Sequence, residues 1–139
     1  MIHFSSADAT VSLKGRTALK SVLQHLFDRE GRPLRSLQYV FCSDDYLLQI
    51  NNYFLQHNYY TDIVTFEMAD NPLKGVEGEV YISVDRVKEN SRDLKVSFRA
   101  ELLRVIFHGA LHLAGYGDKT PGEQEIMRQK EEEYMAQCL

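Results

Sequence analysis

The sequence predicts a single domain of the α+β class, and three observations carry that reading. Short β-rich runs alternate with longer segments whose apolar residues recur at helical spacing. One helical segment, residues 97–114, is apolar around nearly its whole circumference, as a helix buried in a core must be. The chain has 139 residues, a length suited to one core, and its 44% hydrophobic content with 8 Tyr and 7 Phe argues against disorder.

The elements follow in order. Residues 2–5 form a short strand. Leu13, Leu19, Val22, Leu23, Leu26 and Phe27 repeat at helical spacing, and Gly31-Arg32-Pro33 ends that helix. Residues 37–42 alternate and are rich in β formers. Ser43 with Asp44 and Asp45 starts a second helix, since acids suit the positive end of the helix dipole, and Leu47, Leu48, Ile50, Tyr53 and Phe54 continue it. Residues 62–66 and 76–84 read as strands, with an Asn71-Pro72 turn between them. A short helix is expected from 85 to about 92.

The helix over 97–114 carries the chemistry. Leu102, Leu103, Val105, Ile106, Phe107, Ala110, Leu111 and Leu113 leave only Glu101, Arg104, His108 and His112 as a polar stripe, about 80° wide at 100° per residue. Unpaired polar groups buried there would cost about 1–3 kcal/mol each, so the stripe requires partners. His108 and His112 are one turn apart and point the same way. Gly115 can leave the helix in a left-handed conformation and turn the chain back, which returns Asp118 to the two imidazoles. Thr120-Pro121-Gly122-Glu123 then starts a final helix with a capping threonine, a first-turn proline and a glutamate three residues on. Two histidines and an aspartate can hold one zinc ion with a position open for water, the arrangement of a catalytic site. Manganese, nickel or iron suit the same ligands less specifically. His3, His25 and His57 share no ligand spacing and read as ordinary histidines.

Charge is unevenly spread. The formal net charge is −4, yet residues 14–35 hold six basic and two acidic side chains, and residues 86–104 hold six and three. Residues 44–85 hold eight acids against Lys74. This pattern fits solvated helix faces, and it also fits a basic face for an RNA backbone on an acidic protein. No apolar run approaches membrane-spanning length, and the first residues lack a basic region leading into an apolar one, so neither a signal peptide nor an anchor is expected. Cys42 and Cys138 read as reduced thiols of a cytoplasmic protein, with no disulfide.

Residues 107–118 resemble the signature of the YbeY family, bacterial metal-dependent endoribonucleases of ribosomal RNA maturation and ribosome quality control. That signature is His-Gly-x-Leu-His-Leu-x-Gly-Tyr followed by Asp-His. This chain reads His108-Gly109-Ala110-Leu111-His112-Leu113-Ala114-Gly115-Tyr116, then Gly117-Asp118. Thr61-Asp62-Ile63-Val64-Thr65-Phe66 is similar to the family's Thr-Asp-Val-Leu-Ser-Phe strand, and Gly78-Glu79-Val80-Tyr81-Ile82-Ser83 to its Gly-Asp-Ile-x-Ile-Ser strand. Asn51 stands where the family's helix carries Asn. Two positions differ: Asp118 replaces a third histidine, and Leu55 replaces an arginine six residues before the Thr-Asp pair.

The resemblance implies one domain over 1–139, with a mixed sheet of about four strands and helices packed on it. It implies a zinc-dependent single-strand endoribonuclease acting in 16S rRNA 3′-end maturation, with the small ribosomal subunit as partner. His108, His112 and Asp118 would hold the ion and act through the water it binds, because zinc lowers that water's pKa and polarises a phosphoryl oxygen. RNA would lie along Arg86, Lys88 and Arg99, with Arg104 as a further contact. A non-catalytic, zinc-stabilised assembly or RNA-binding factor is the second reading. A metalloprotease shares the ligand spacing, but it needs a glutamate directly after the first histidine, where this chain has Gly109.

Overall fold

The computed structural model describes residues 1–57, 59–71 and 74–139. Among the described residues four strands and five helices follow in the order β1 (Ile2–Ser6), α1 (Arg16–Arg29), β2 (Leu34–Cys42), α2 (Asp44–Leu55), β3 (Ile63–Glu67), β4 (Val76–Ser83), α3 (Val84–Leu94), α4 (Phe98–Leu113) and α5 (Pro121–Met135). The strand order is β1-β2-β4-β3. β2 pairs in parallel with β1 and β4, and β3 pairs antiparallel with β4, so the sheet is mixed. The fold is α+β, as the sequence predicts.

Strand alternation decides which face packs. In β4, Val76, Gly78, Val80 and Ile82 are buried, while Glu77, Glu79 and Tyr81 alternate with them on the half-covered face. The buried face meets α1 and α4 in the main core, where Leu23, Leu26, Phe27, Leu103, Ile106 and Phe107 are fully enclosed. Tyr39 of β2 is equally enclosed and its hydroxyl donates to the Ile106 carbonyl at 2.8 Å, which ties sheet to helix without an unpaired polar atom. On the other face α2 covers a smaller cluster of Cys42, Leu47 and Val64.

Several boundaries differ from the expected ones for local reasons. Leu13 is core but precedes α1, which begins after Gly15 at φ 72°. β2 starts at Leu34 rather than 37, because the Pro33 carbonyl and the following residues pair with β4 at Val76. The expected turn includes Pro72, which lies outside the described residues. The α5 start is as predicted: Thr120 Oγ1 accepts the Glu123 N–H and Glu123 Oε1 accepts the Thr120 N–H, a reciprocal cap. Among the described residues no helix is long and apolar enough to cross a membrane, and both cysteines are free.

Candidate metal centre

The close packing of α4 on the sheet orients the two imidazoles. Gly109 faces β3 and β4, where an added Cβ would lie 2.9 Å from both Ile63 Cδ1 and Val80 Cγ1. The helix comes this near only because position 109 has no side chain. No carboxylate can occupy it, so the base that a protease of this spacing needs has no place. His108 and His112 turn away from the core into a cleft of about 330 Å³ bounded by α4, β3 and the segment after α2.

The chain beyond α4 then brings in the carboxylate. Gly115 takes φ 108°, a value open to glycine, and its N–H bonds the His112 carbonyl at 3.0 Å. The Tyr116 N–H bonds the Leu111 carbonyl at 3.0 Å, and the Asp118 carbonyl accepts from Gln124 of α5 at 3.1 Å. Asp118 is thereby held between two helices. Its Oδ2 lies 3.2 Å from His108 Nε2 and 3.2 Å from His112 Nε2, which are 3.0 Å apart.

The outer ring nitrogens determine what those inner atoms are. His112 Nδ1 donates to the Tyr116 carbonyl at 3.0 Å, and His108 Nδ1 donates to Glu131 Oε2 at 2.6 Å. Both partners are acceptors, so each neutral ring carries its proton on Nδ1 and presents a bare Nε2 inward. Two lone pairs and a carboxylate oxygen facing one another at 3.0–3.2 Å repel unless a cation lies among them. Ligands about 2.0–2.1 Å from a tetrahedral zinc are separated by roughly 3.3–3.4 Å, close to the observed edges. His108, His112 and Asp118 thus fit a metal ion and could hold one.

Around this triangle lies a charge network. Arg104, one turn before His108, binds Glu101 through Nε at 2.9 Å and Nη2 at 2.6 Å. It also reaches Glu131 at 3.5 Å and Asp62 at 3.6 Å. Its hydrogen bond to Glu101 raises its pKa further above the usual arginine range. Burial pushes the Asp62 carboxyl up, against the opposing pull of Arg104. The polar stripe is present, and its members are partnered by one another, by Asp62, Asp118 and Glu131, and by the Tyr116 carbonyl.

Of the basic residues expected on RNA, only Arg104 adjoins the cluster, and its guanidinium serves the protein's own acids. Arg86 of α3 pairs with Asp44 at 2.8 Å. Lys88 is exposed on the same helix. Arg99 donates to the Lys14 carbonyl at 3.0 Å near the start of α4, on the order of 20 Å along the axis from His112. Glu131 has no role in the sequence-based expectations, Asn51 and Asp62 enter there only through the family resemblance, and His57 reads there as an ordinary histidine. Asn51, Asp62 and His57 line the cleft with the ligands. Met127 and Tyr134 at helical spacing place Glu131 on the buried face of α5, a signal that was present but hidden in the run Glu131-Glu132-Glu133.

In this α+β domain a buried helix and its following loop bring two imidazoles and a carboxylate together, a donor set that could hold a metal ion. The chain is a member of the YbeY family: the family model described as Endoribonuclease YbeY matches residues 1–139. It is similar to the Endoribonuclease YbeY of Cytophaga hutchinsonii, 45% identical over 132 residues covering 94% of this chain and 91% of that protein. The Endoribonuclease YbeY of Amoebophilus asiaticus is 39% identical over 134 residues, covering 96% and 90%. Among solved structures, TM1509 from Thermotoga maritima superposes with a TM-score of 0.65 at 28% identity, covering 99% of this chain and 88% of that one.

Proposed function

We propose that this protein is a zinc-dependent endoribonuclease that hydrolyses phosphodiester bonds of single-stranded RNA in 16S rRNA 3′-end maturation and ribosome quality control. The convergence of His108 Nε2, His112 Nε2 and Asp118 Oδ2 within 3.0–3.2 Å, both outer nitrogens held by acceptors, carries this reading. Family membership supports RNA as substrate. The whole chain acts as one domain, in the cytoplasm and on the small ribosomal subunit.

A bound zinc would supply Lewis acidity and an acidified water at the cleft. The protein's residues do the rest. Glu131 and the Tyr116 carbonyl hold the imidazoles in one tautomer and one orientation, and Gly109 keeps the helix close enough to the sheet for the cleft to form. Asp118 contributes a negative ligand, so the cluster retains one unit less positive charge than three neutral histidines would leave. Arg86, Lys88 and Arg99 give RNA peripheral positive charge outside the cleft, and Arg104 maintains the network behind it.

The test is metal analysis of purified protein, followed by cleavage of single-stranded RNA by wild type and His112→Ala. Zinc bound near one per chain and loss of cleavage in the variant support the reading. Equal residual cleavage would identify contamination and favour the non-catalytic, RNA-binding role.

A further inference from the structure

Four aromatic side chains of α2 and the segment that follows it stay outside the core. Tyr53 and Phe54 are 81% and 62% exposed, and Tyr59 and Tyr60 are 56% and 50% exposed. An isolated exposed ring is ordinary, but a contiguous exposed apolar surface marks a binding site. Here the rings form two local clusters, one at the end of α2 and one in the segment that follows it. Tyr53 meets Phe54 edge-on at 4.8 Å between centroids, and Phe54 meets Phe66 of β3 at 5.6 Å. Beyond the end of α2, Tyr59 stacks on His57 at 5.1 Å with 21° between planes, its hydroxyl 3.0 Å from His57 Nδ1.

The exposed stack is also fixed in place. Gln56 ends α2 at φ 56°. Buried Asn51 then makes two contacts: its carbonyl accepts the His57 N–H at 3.1 Å, and its side-chain amide donates to the Tyr59 carbonyl at 3.0 Å. These bonds fix the main chain at His57 and Tyr59, and the Tyr59 hydroxyl contact with His57 Nδ1 pairs their rings, so less freedom is lost on binding a flat ligand.

Charge selects the ligand's contacting part. Among the described residues lining the cleft there is no Lys or Arg, while Asp62 and Asp118 are both there. Apart from a bound cation, the walls offer phosphates no positive charge. Nucleobases present flat faces that stack on aromatic rings without regard to sequence. Leu55, His57 and Tyr59 line the same cleft as His108, His112 and Asp118, so the His57–Tyr59 pair adjoins the reacting centre, while Tyr53 and Phe54 line a neighbouring hollow on α2.

We propose that Tyr53 with Phe54, and Tyr59 with His57, form a base-stacking site for unpaired nucleobases of the RNA flanking the metal cluster. It rests on the endoribonuclease reading of the cleft and adds a second hold on the substrate near the cleft, through base faces, beside the peripheral backbone charge. Paired bases have both faces occupied by neighbours in the helix, so the site admits single strands.

The experiment compares metal-loaded protein binding to a labelled RNA of roughly ten nucleotides with binding to an abasic ribose-phosphate chain of the same length, by fluorescence anisotropy, with RNA integrity checked in the same samples. The base-bearing strand should bind at least about tenfold more tightly. Phe54→Ala and Tyr59→Ala should each weaken it by roughly five- to a hundredfold, and leave abasic binding unchanged, while Phe54→Trp should restore it. Because these rings are half or more exposed, the folded state should survive, which circular dichroism verifies. Equal affinity for both chains, or alanine variants that bind like wild type, overturns the stacking site. Self-association of the wild type that Phe54→Ala abolishes would assign the surface to a second copy and also overturn it. Cleavage with unchanged variant binding refutes the stacking site alone, whereas strong base-dependent binding without any cleavage refutes the nuclease reading alone.

Discussion

Glu131 of α5 accepts the His108 Nδ1–H at 2.6 Å while its other carboxylate oxygen faces Arg104 Nη1 at 3.5 Å. One buried acid thus joins the candidate ligand to the structural ion network. Its negative charge makes the imidazole a better donor to a cation, and its position fixes the ring. Glu131→Gln retains an acceptor but loses the charge. Zinc affinity should fall by about 10- to 100-fold, read by competition with a chromophoric chelator. An unchanged affinity would remove Glu131 from the site.

Glu101 and Arg104 test the network itself. Glu101 is 1% exposed, whereas the Arg104 side chain is 31% exposed. Breaking a buried pair costs about 3–5 kcal/mol because one charge is left uncompensated. Glu101→Gln should cost nearer 2 kcal/mol, since Arg104 keeps Asp62 and Glu131 and part of its hydration. Arg104→Met leaves several acids facing one another and should cost more. Urea denaturation of both variants decides; the reverse ranking would show that Arg104 matters less to folding than its contacts indicate.

Most of this arrangement could be read from the chain, and the failures have physical causes. The polar stripe of α4, the turn at Gly115 and the Thr120 cap are local, so spacing and residue type expose them. The insertion of β4 between β2 and β3 is a tertiary choice that strand periodicity does not encode. Glu131 lies in a run of three glutamates whose composition does not mark one as buried, because adjacent residues on a helix face different environments. His57 reaches the cleft only through the clasp by Asn51, which no ligand spacing reveals.

Gly109 supplies a prediction in which two effects oppose each other. Alanine is favoured over glycine within a helix by about 1 kcal/mol. Here its methyl would press into Ile63 and Val80 at 2.9 Å, between helix and sheet. Overpacking costs about 1–3 kcal/mol, so Gly109→Ala should be net destabilising and should loosen zinc binding as α4 shifts. A variant of higher melting temperature with unchanged zinc affinity would show that the interface gives way freely.

Glu30 gives the pH dependence. At the end of α1 it accepts the Tyr116 hydroxyl at 2.6 Å and the Tyr134 hydroxyl at 2.8 Å, with Lys130 at 3.5 Å. Burial pushes its carboxyl up, but the two hydroxyl donors and the lysine charge outweigh it and leave the pKa below the usual value. A depressed carboxylate contributes stability that is present above its unfolded pKa, about 4.3, and is lost as pH falls through the lower folded value. Glu30→Gln keeps an acceptor without the charge and should cost about 1–2 kcal/mol at neutral pH. The gap between wild type and variant should stay level down to about pH 5 and close below about pH 4. Denaturation curves across that range measure it, and a gap that widens with acid would contradict the sign. Because the Tyr116 carbonyl also holds His112 Nδ1, the variant should weaken zinc binding at neutral pH as well, through the loop alone and with every ligand intact.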